Sequence, residues 1–461
     1  DCDVASRQSG RMNIWKSDVT ALLEAYADGR VTPMQAVESM LSRIDALNPV
    51  LNAYTALNDA AMAEAEAATS RWQTGTPIGP LDGVPLIIKD NLVTAGMPAA
   101  WGNAHLARQR SNHDEAPIAR LREAGAIFLG KGNTPEFAIE GYTDNLTFGV
   151  TRNPFDPALT PGGSSGGVVA AVAAGLAYAG IGTDGGGSIR RPAGYTGLFG
   201  LKPGIGHVPR SGGLPQVLLD FEVVGPIARS ARDLALLDGI LAGHTKTPAN
   251  ERSLTILAVE TLDDAPCDPA IRQAFASTCA LLSQNSHKVI KADMPLELAP
   301  LNAVWTDIGA IGLAAYLADT PQVRDSANPK YRQIAEIGAG KSGMDLYRIL
   351  DLVFKLRNES AELFGEFDAI LMPTAAANPW LAAEPFPDTI DGYSVGPRGH
   401  AIFTGWVNAM GLPAVAFPAP SSAMPIGMQL IGPMRSEIML TDCIDACAGP
   451  FTWPDIATRQ A

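Results

Sequence analysis

The sequence predicts an α/β protein, built as one large domain with a β-sheet covered by helices on both faces. Short apolar runs rich in β-forming residues alternate with helical stretches along the chain, the pattern of a helix-covered sheet. Of the 461 residues, 46% are hydrophobic and 18% charged, which is enough to bury one extensive core. No internal repeat or low-complexity linker divides the chain. The competing arrangement, two domains, would break near residues 243–251.

Residues 1–11 read as an extension preceding the domain, which then spans 12–461: a helical region at 12–75, a core at about 80–230 and a second half of the same sheet at 250–461. The first helix is expected over 18–28. The second starts at Thr32-Pro33-Met34-Gln35, where a threonine N-cap, a proline at the first helical position and a glutamine three residues on form a capping box. A third covers 58–72. Glycine and proline punctuate 75–83, and the apolar run 84–88 then reads as a strand ending at Lys89. Beyond it the pattern gives a helix at 117–124, a strand at 126–129, a helix at 168–177 and a strand at 178–182. The second half gives strands at 254–259, 287–290, 369–372 and 427–431, a helix at 270–282 and a long helical region from about 331 to 364.

The formal net charge of −14 argues against binding to nucleic acid or anionic lipid, which runs on clustered Lys and Arg. The most apolar run, 168–181, is too short for a membrane span and follows a glycine-rich turn, so it reads as a buried helix. The five cysteines are scattered with no C-x2-C pair, and the six histidines show no H-x3-H pair, so neither a disulfide framework nor a metal site is expected. These features fit a cytoplasmic protein, a monomer or homodimer without cofactor.

Two glycine-serine clusters stand out. The first is Pro161-Gly162-Gly163-Ser164-Ser165-Gly166-Gly167, followed at once by a small-residue helix. The second is Gly182-Thr183-Asp184-Gly185-Gly186-Gly187-Ser188-Ile189-Arg190-Arg191-Pro192, where three glycines expose backbone N–H groups just before a serine. Such a row suits an oxyanion, because fixed N–H dipoles stabilise developing charge. Together with the upstream Lys89-Asp90-Asn91, at separations of 164 − 89 = 75 and 188 − 164 = 24, these residues resemble the amidase signature family. Gly130-Lys131-Gly132-Asn133, Gly200-Leu201-Lys202-Pro203, Val224-Gly225-Pro226 and Asn408 with Gly411-Leu412-Pro413 extend the resemblance from about residue 15 to 440.

The resemblance implies a single domain around a central mixed, twisted sheet, and hydrolysis of carbon–nitrogen bonds. It makes Ser188 the nucleophile, Ser164 a bridging serine on a cis peptide after Gly163, and Lys89 the base. Gly185, Gly186, Gly187 and the Ser188 N–H supply oxyanion donors, with Ser165, Asp184 and Arg190 in support. The chemistry makes a demand of its own. A lysine acts as base only when neutral, and at a reference pKa of about 10.4 it is protonated at pH 7. A drop of about three units calls for a desolvated, hydroxyl-lined site without a tight carboxylate partner, and Asp90 should point to the other face of the strand.

Two other readings use the same residues. Gly162-Gly163-Ser164-Ser165-Gly166 satisfies G-x-S-x-G, which would pair Ser164 with His400 in an α/β-hydrolase esterase. The glycine-rich turn before a helix also suits an anion or nucleotide, although no G-x-x-x-x-G-K-[ST] is present. Within the resembled family, the chain is read as a freestanding enzyme for aryl or alkyl amides, anilides or carbamates. The alternative is the amidase subunit of a tRNA-dependent amidotransferase. Segments 139–148, 208–219, 303–315 and 374–408 are expected to complete an apolar pocket, with Tyr142, Trp305 and Phe403 lining it and Arg210 near its mouth.

Overall fold

The computed structural model describes residues 14–243, 252–420 and 424–448. The proposed extension at 1–11 lies outside the described residues, as does most of the candidate break at 243–251. Eleven strands form one sheet: β1 (Tyr54–Leu57), β2 (Pro85–Lys89), β3 (Ile127–Gly132), β4 (Ala179–Asp184), β5 (Phe199–Lys202), β6 (Val223–Ala228), β7 (Thr255–Ala258), β8 (Lys288–Lys291) and β9 (Ala369–Pro373), joined by two more late in the chain. A separate hairpin pairs β10 (Thr389–Ile390) with β11 (Tyr393–Ser394), and β12 (Ala414–Pro418) and β13 (Gly427–Ile431) complete the sheet. Its order is β1-β3-β2-β4-β6-β5-β12-β13-β9-β7-β8. The sheet is mixed: β3-β2-β4 and β9-β7-β8 run parallel, and antiparallel pairs connect these blocks. Both halves of the chain therefore share one sheet.

Every residue of β2, β3 and β4 is buried. Strands covered on both faces are apolar throughout rather than alternating, which is why 84–88 reads as a continuous run. Helix starts follow their caps: Asp18 accepts from Ala21 N–H ahead of Val19–Ala27, and Thr32 and Gln35 close a capping box on Pro33–Leu51.

The sequence reading misses β1, β5, β6 and β12. In β6 (Val-Val-Gly-Pro-Ile-Ala) the glycine and proline look like a turn, yet Pro226 sits opposite Ile181 between β4 and β5. The helical region 331–364 is two helices, Pro329–Ala339 and Gly343–Leu363. Ser342 and Asp345 form a capping box that starts the second afresh.

The reading also passes over Ala299–Asp319. Among the described residues it is the one helix long and apolar enough, by length and composition, to cross a membrane. Here it packs against Pro329–Ala339, where Leu313 and Leu317 are buried with Tyr331 and Ala335, while Leu301 and Ile308 join the main core.

Candidate active site

Parallel neighbours deliver their C-terminal ends to the same edge of a sheet, where α/β proteins place ligands. Ile88 of β2 lies opposite Ile181 of β4, so Lys89 and Thr183 emerge side by side. Lys89 is fully buried, and its Nζ lies 2.7 Å from Ser164 Oγ, 2.8 Å from Thr183 Oγ1 and 3.2 Å from the Thr183 carbonyl oxygen. Burial pushes its pKa down to about 7, against smaller upward pulls from Glu222 and Asp184. Asp90 turns away, accepting from Thr55 Oγ1 and Gly102 N–H.

Burial alone does not single out Lys89. Lys131 and Lys202 are also fully buried and lowered, to about 8 and about 7. Lys202, however, donates to the Pro203 and Leu412 carbonyls, and Lys131 to the Leu92 carbonyl and Thr94 Oγ1. Of the three, Lys89 is the one that faces a serine. Thr183, which accepts from the amine through both Oγ1 and its carbonyl oxygen, stands in the second glycine-serine cluster, yet sequence reasoning gave it no role.

The Gly163–Ser164 peptide is cis, as the resemblance implies. Ser165 follows as N-cap of the buried helix Gly166–Ala173, donating from Oγ to the Thr183 carbonyl and from N–H to the Ser188 carbonyl. The two glycine-serine clusters are thereby clamped together. Ser188 is 7% exposed, whereas Ser164 and Lys89 are sealed.

Asp184 organises the second cluster. Its carboxylate accepts from the N–H groups of Gly187 (2.6 Å), Ile189 (3.1 Å) and Arg190 (3.3 Å) and pairs with the Arg190 guanidinium, both side chains being fully buried. Arg190 also donates to Gln429 Oε1, Asn408 Oδ1 and the Thr404 carbonyl. Gly187 thus has a different task from the one expected: its N–H is committed to Asp184. Among the described residues no acceptor takes the N–H of Gly185, Gly186 or Ser188. These three line a cavity of about 700 Å³ that Gly187 does not reach.

Gly187 is required for another reason. Its φ is +113°, and a Cβ there would lie 2.3 Å from Arg191 Nη1 and from Thr404 Oγ1. Gly187→Ala is therefore expected to displace the loop and lower kcat/KM by about 10²-fold or more, measured beside the melting temperature.

A profile of the family described as Amidase matches residues 35–441. The chain belongs to this family. The amidase is 32% identical to the A subunit of glutamyl-tRNA(Gln) amidotransferase from Chloroflexus aurantiacus, over 94% of this chain and 96% of that one. It is also 32% identical to the corresponding protein of Thermus thermophilus, over 89% and 92%. Among solved structures it resembles a bacterial aryl acylamidase of the amidase signature enzymes (TM-score 0.84, 26% identity, 94% and 96% covered). It also resembles 6-aminohexanoate cyclic dimer hydrolase bound to its substrate (TM-score 0.85, 26% identity, 96% and 100% covered).

The amidase's cavity has two kinds of lining. Ile139, Leu218, Trp305, Ile334, Ile337 and Phe386 are apolar, whereas Arg191, Arg398 and His400 are polar. Tyr142 and Trp305 line it as expected from sequence. Phe403 does not, being fully buried in the main core. Arg210 is not at the mouth either: its side chain pairs with Glu222 at 2.6 Å and Glu115 at 3.7 Å, away from the cavity lining. Glu222 is twelve residues from Arg210 and Glu115 is far upstream, so only folding reveals the cluster. The helix Pro329–Ala339 contributes Lys330, Ile334 and Ile337, a wall the sequence reading assigned to no pocket.

The serine–histidine alternative lacks its central contact. The Ser164 hydroxyl meets Lys89, while both ring nitrogens of His400 are buried without a hydrogen-bond partner.

Folding also brings His287 to two cysteines on one helix, Glu437–Cys447. Cys443 and Cys447 each lie 3.5 Å from His287 Nε2. His287 Nδ1 accepts from the Leu254 N–H, which leaves the ring proton on Nε2, facing the sulfurs. The imidazole is therefore set to donate to the thiols rather than to ligate a metal.

Proposed function

We propose that this amidase hydrolyses a carbon–nitrogen bond of a small amide or carbamate through an acyl-enzyme on Ser188. The observation that carries this reading is the buried Lys89 amine, lowered to about 7 and 2.7 Å from Ser164 Oγ. Neutral Lys89 donates its two N–H bonds to Thr183 and turns its lone pair to the Ser164 O–H. Ser164 in turn accepts the Ser188 proton as Ser188 Oγ attacks the carbonyl carbon. The carbonyl electrons move onto oxygen, facing the unpartnered N–H groups of Gly185, Gly186 and Ser188. The proton held on Lys89 returns through Ser164 to the leaving nitrogen as the C–N bond breaks. Water then repeats the sequence on the ester, releasing the acid and restoring Ser188.

Two settings use this chemistry. The aryl acylamidase and the cyclic dimer hydrolase support a freestanding enzyme. The relatives at 32% identity are named as part of an amidotransferase and support a second reading, in which the chain works within a tRNA-directed complex. The purified chain, assayed alone for ammonia or amine release from primary amides, anilides, carbamates and glutamine, separates them. Full turnover alone on a non-glutamine amide is the expected result. Activity confined to glutamine and dependent on partner proteins would establish the second.

A further inference from the structure

The cationic lining of the cavity has no counterpart in the chemistry described so far. Five ionised side chains line the cavity: Glu140, Arg191, Asp307, Lys330 and Arg398. Glu140 is held by Lys330 at 2.5 Å, and Asp307 by Lys341 at 2.7 Å. Both acids are therefore neutralised by lysines. The guanidiniums are not: among the described residues neither Arg191 nor Arg398 has a carboxylate within ion-pair distance, and Asp184, the acid nearest in sequence to Arg191, belongs to Arg190.

Donors in this lining are also unused. Arg191 is 3% exposed and spends Nη1 on the Gly186 carbonyl and on Thr404 Oγ1, yet its Nε is buried without a partner. His400, 2% exposed, has neither ring nitrogen bonded. Its Nε2 and Arg191 Nη2 converge on Gly141, where an added Cβ would lie 2.5 Å from one and 3.6 Å from the other. Arg398 also lines the cavity and is exposed to solvent. Arg191 Nε and both His400 ring nitrogens are sealed from solvent, so the groups of this region left for a ligand are the remaining guanidinium donors of Arg191 and Arg398. In a chain of net charge −14, two unmatched guanidiniums beside Ser188 are a local inversion of the field.

We propose that Arg191 and Arg398 form an anion subsite, and that the amidase prefers amides that also carry a free carboxylate. This rests on the hydrolase reading above and specifies its substrate class. It revises the purely apolar pocket expected from sequence: the apolar lining takes the methylene chain or ring, and the arginines take the acid at its end. An α-amino acid amide such as glutamine brings an ammonium group as well. Glu140 and Asp307 are already engaged, so the plain carboxylate fits better.

The test compares kcat/KM for adipic acid monoamide against hexanamide, and for N-acetyl-5-aminopentanoate against N-pentylacetamide. The two pairs distinguish a carboxylate on the acyl side from one on the departing amine. In at least one pair the acid is expected to exceed its neutral partner by about tenfold, mainly through KM, with the advantage shrinking as salt rises. Arg398→Gln, checked for an unchanged circular dichroism spectrum, should cut that acid-to-neutral ratio by about tenfold. A ratio at or below one in both wild-type pairs overturns the proposal, as does a parallel fall for acid and neutral substrates in Arg398→Gln. Glutamine exceeding glutaric acid monoamide would overturn the preference for a plain acid. If no amide is hydrolysed, the hydrolase reading fails instead. Adipate titrated calorimetrically into wild type and Arg398→Gln then decides the subsite, and equal binding, or none to either, overturns it.

Discussion

Ser188→Ala is expected to lower kcat/KM by about 10⁴-fold or more, and Lys89→Met by a similar amount. Both changes remove a member of one proton-transfer unit, so the double variant should be little worse than either single one. Two controls separate chemistry from structure. The first is the pH profile. Lys89 must be neutral to accept a proton, and its pKa is about 7, so wild-type kcat/KM should rise with pH through a midpoint near 7. A profile flat from pH 5 to 9 would remove Lys89 from the role of base.

The second control is stability. Lys89 has a folded pKa below its unfolded value of about 10.4, so the unfolded chain binds more protons in that window. The wild type consequently carries a stability cost that is full below about pH 7 and fades as pH rises toward 10. Lys89→Met lacks that cost. It should therefore melt at an equal or higher temperature than wild type at pH 6, with the difference narrowing toward pH 10. Loss of activity with loss of fold would instead mark Lys89 as structural.

The largest stability effect is expected from Arg190→Met. Asp184 and Arg190 are both fully buried, and removing one partner of such a pair costs about 3–5 kcal/mol, because the other charge is left uncompensated. Burial by itself raises the Asp184 pKa; the Arg190 charge and its hydrogen bonds overcome this and hold the carboxyl well below the usual range. In wild type this contribution is present above the unfolded value near 3.9 and is lost as pH falls toward the folded one. Removing Arg190 strips away the largest lowering influence while burial stays, so the Asp184 pKa is expected to rise and stability to fall as pH climbs past it. Melting temperatures at pH 5 and pH 8 check this, with the Arg190→Met deficit larger at pH 8. Asp184→Asn added to Arg190→Met should recover part of the loss, since it removes the stranded charge. An equal deficit at both pH values would show that packing, not charge, carries the effect.

The legible parts of the fold are those with strong local signals. Thr32-Pro33-Met34-Gln35 announces a capped helix wherever it occurs, and 84–88 reads as a buried strand because its residues are apolar without interruption. Local chemistry misleads where tertiary pairing overrides it. Pro226 would end an isolated strand, yet β6 lies between β4 and β5, and the apolar residues around the proline carry it into the sheet. The helix Ala299–Asp319 escapes a reading by periodicity for a related reason: its hydrophobic residues run around it without a clean stripe, because one side packs against Pro329–Ala339 while another walls the cavity.

By itself, the sequence determined the elements of the candidate chemistry. Lys89, Ser164 and Ser188 sit in motifs whose residue types and separations point to a single kind of reaction, and a lysine base requires burial wherever it is placed. Only the tertiary structure decided which of three buried lysines faces a serine, that Thr183 holds it, and that Asp184 occupies the Gly187 N–H. It also decided that Arg210 is tied to Glu222 and Glu115 while Arg191 and Arg398 stand unpaired over the cavity. The physical reason is that a pKa, a free donor or an unmatched charge is a property of what surrounds a group. For these side chains the surroundings come from segments up to a few hundred residues apart, brought together by the sheet.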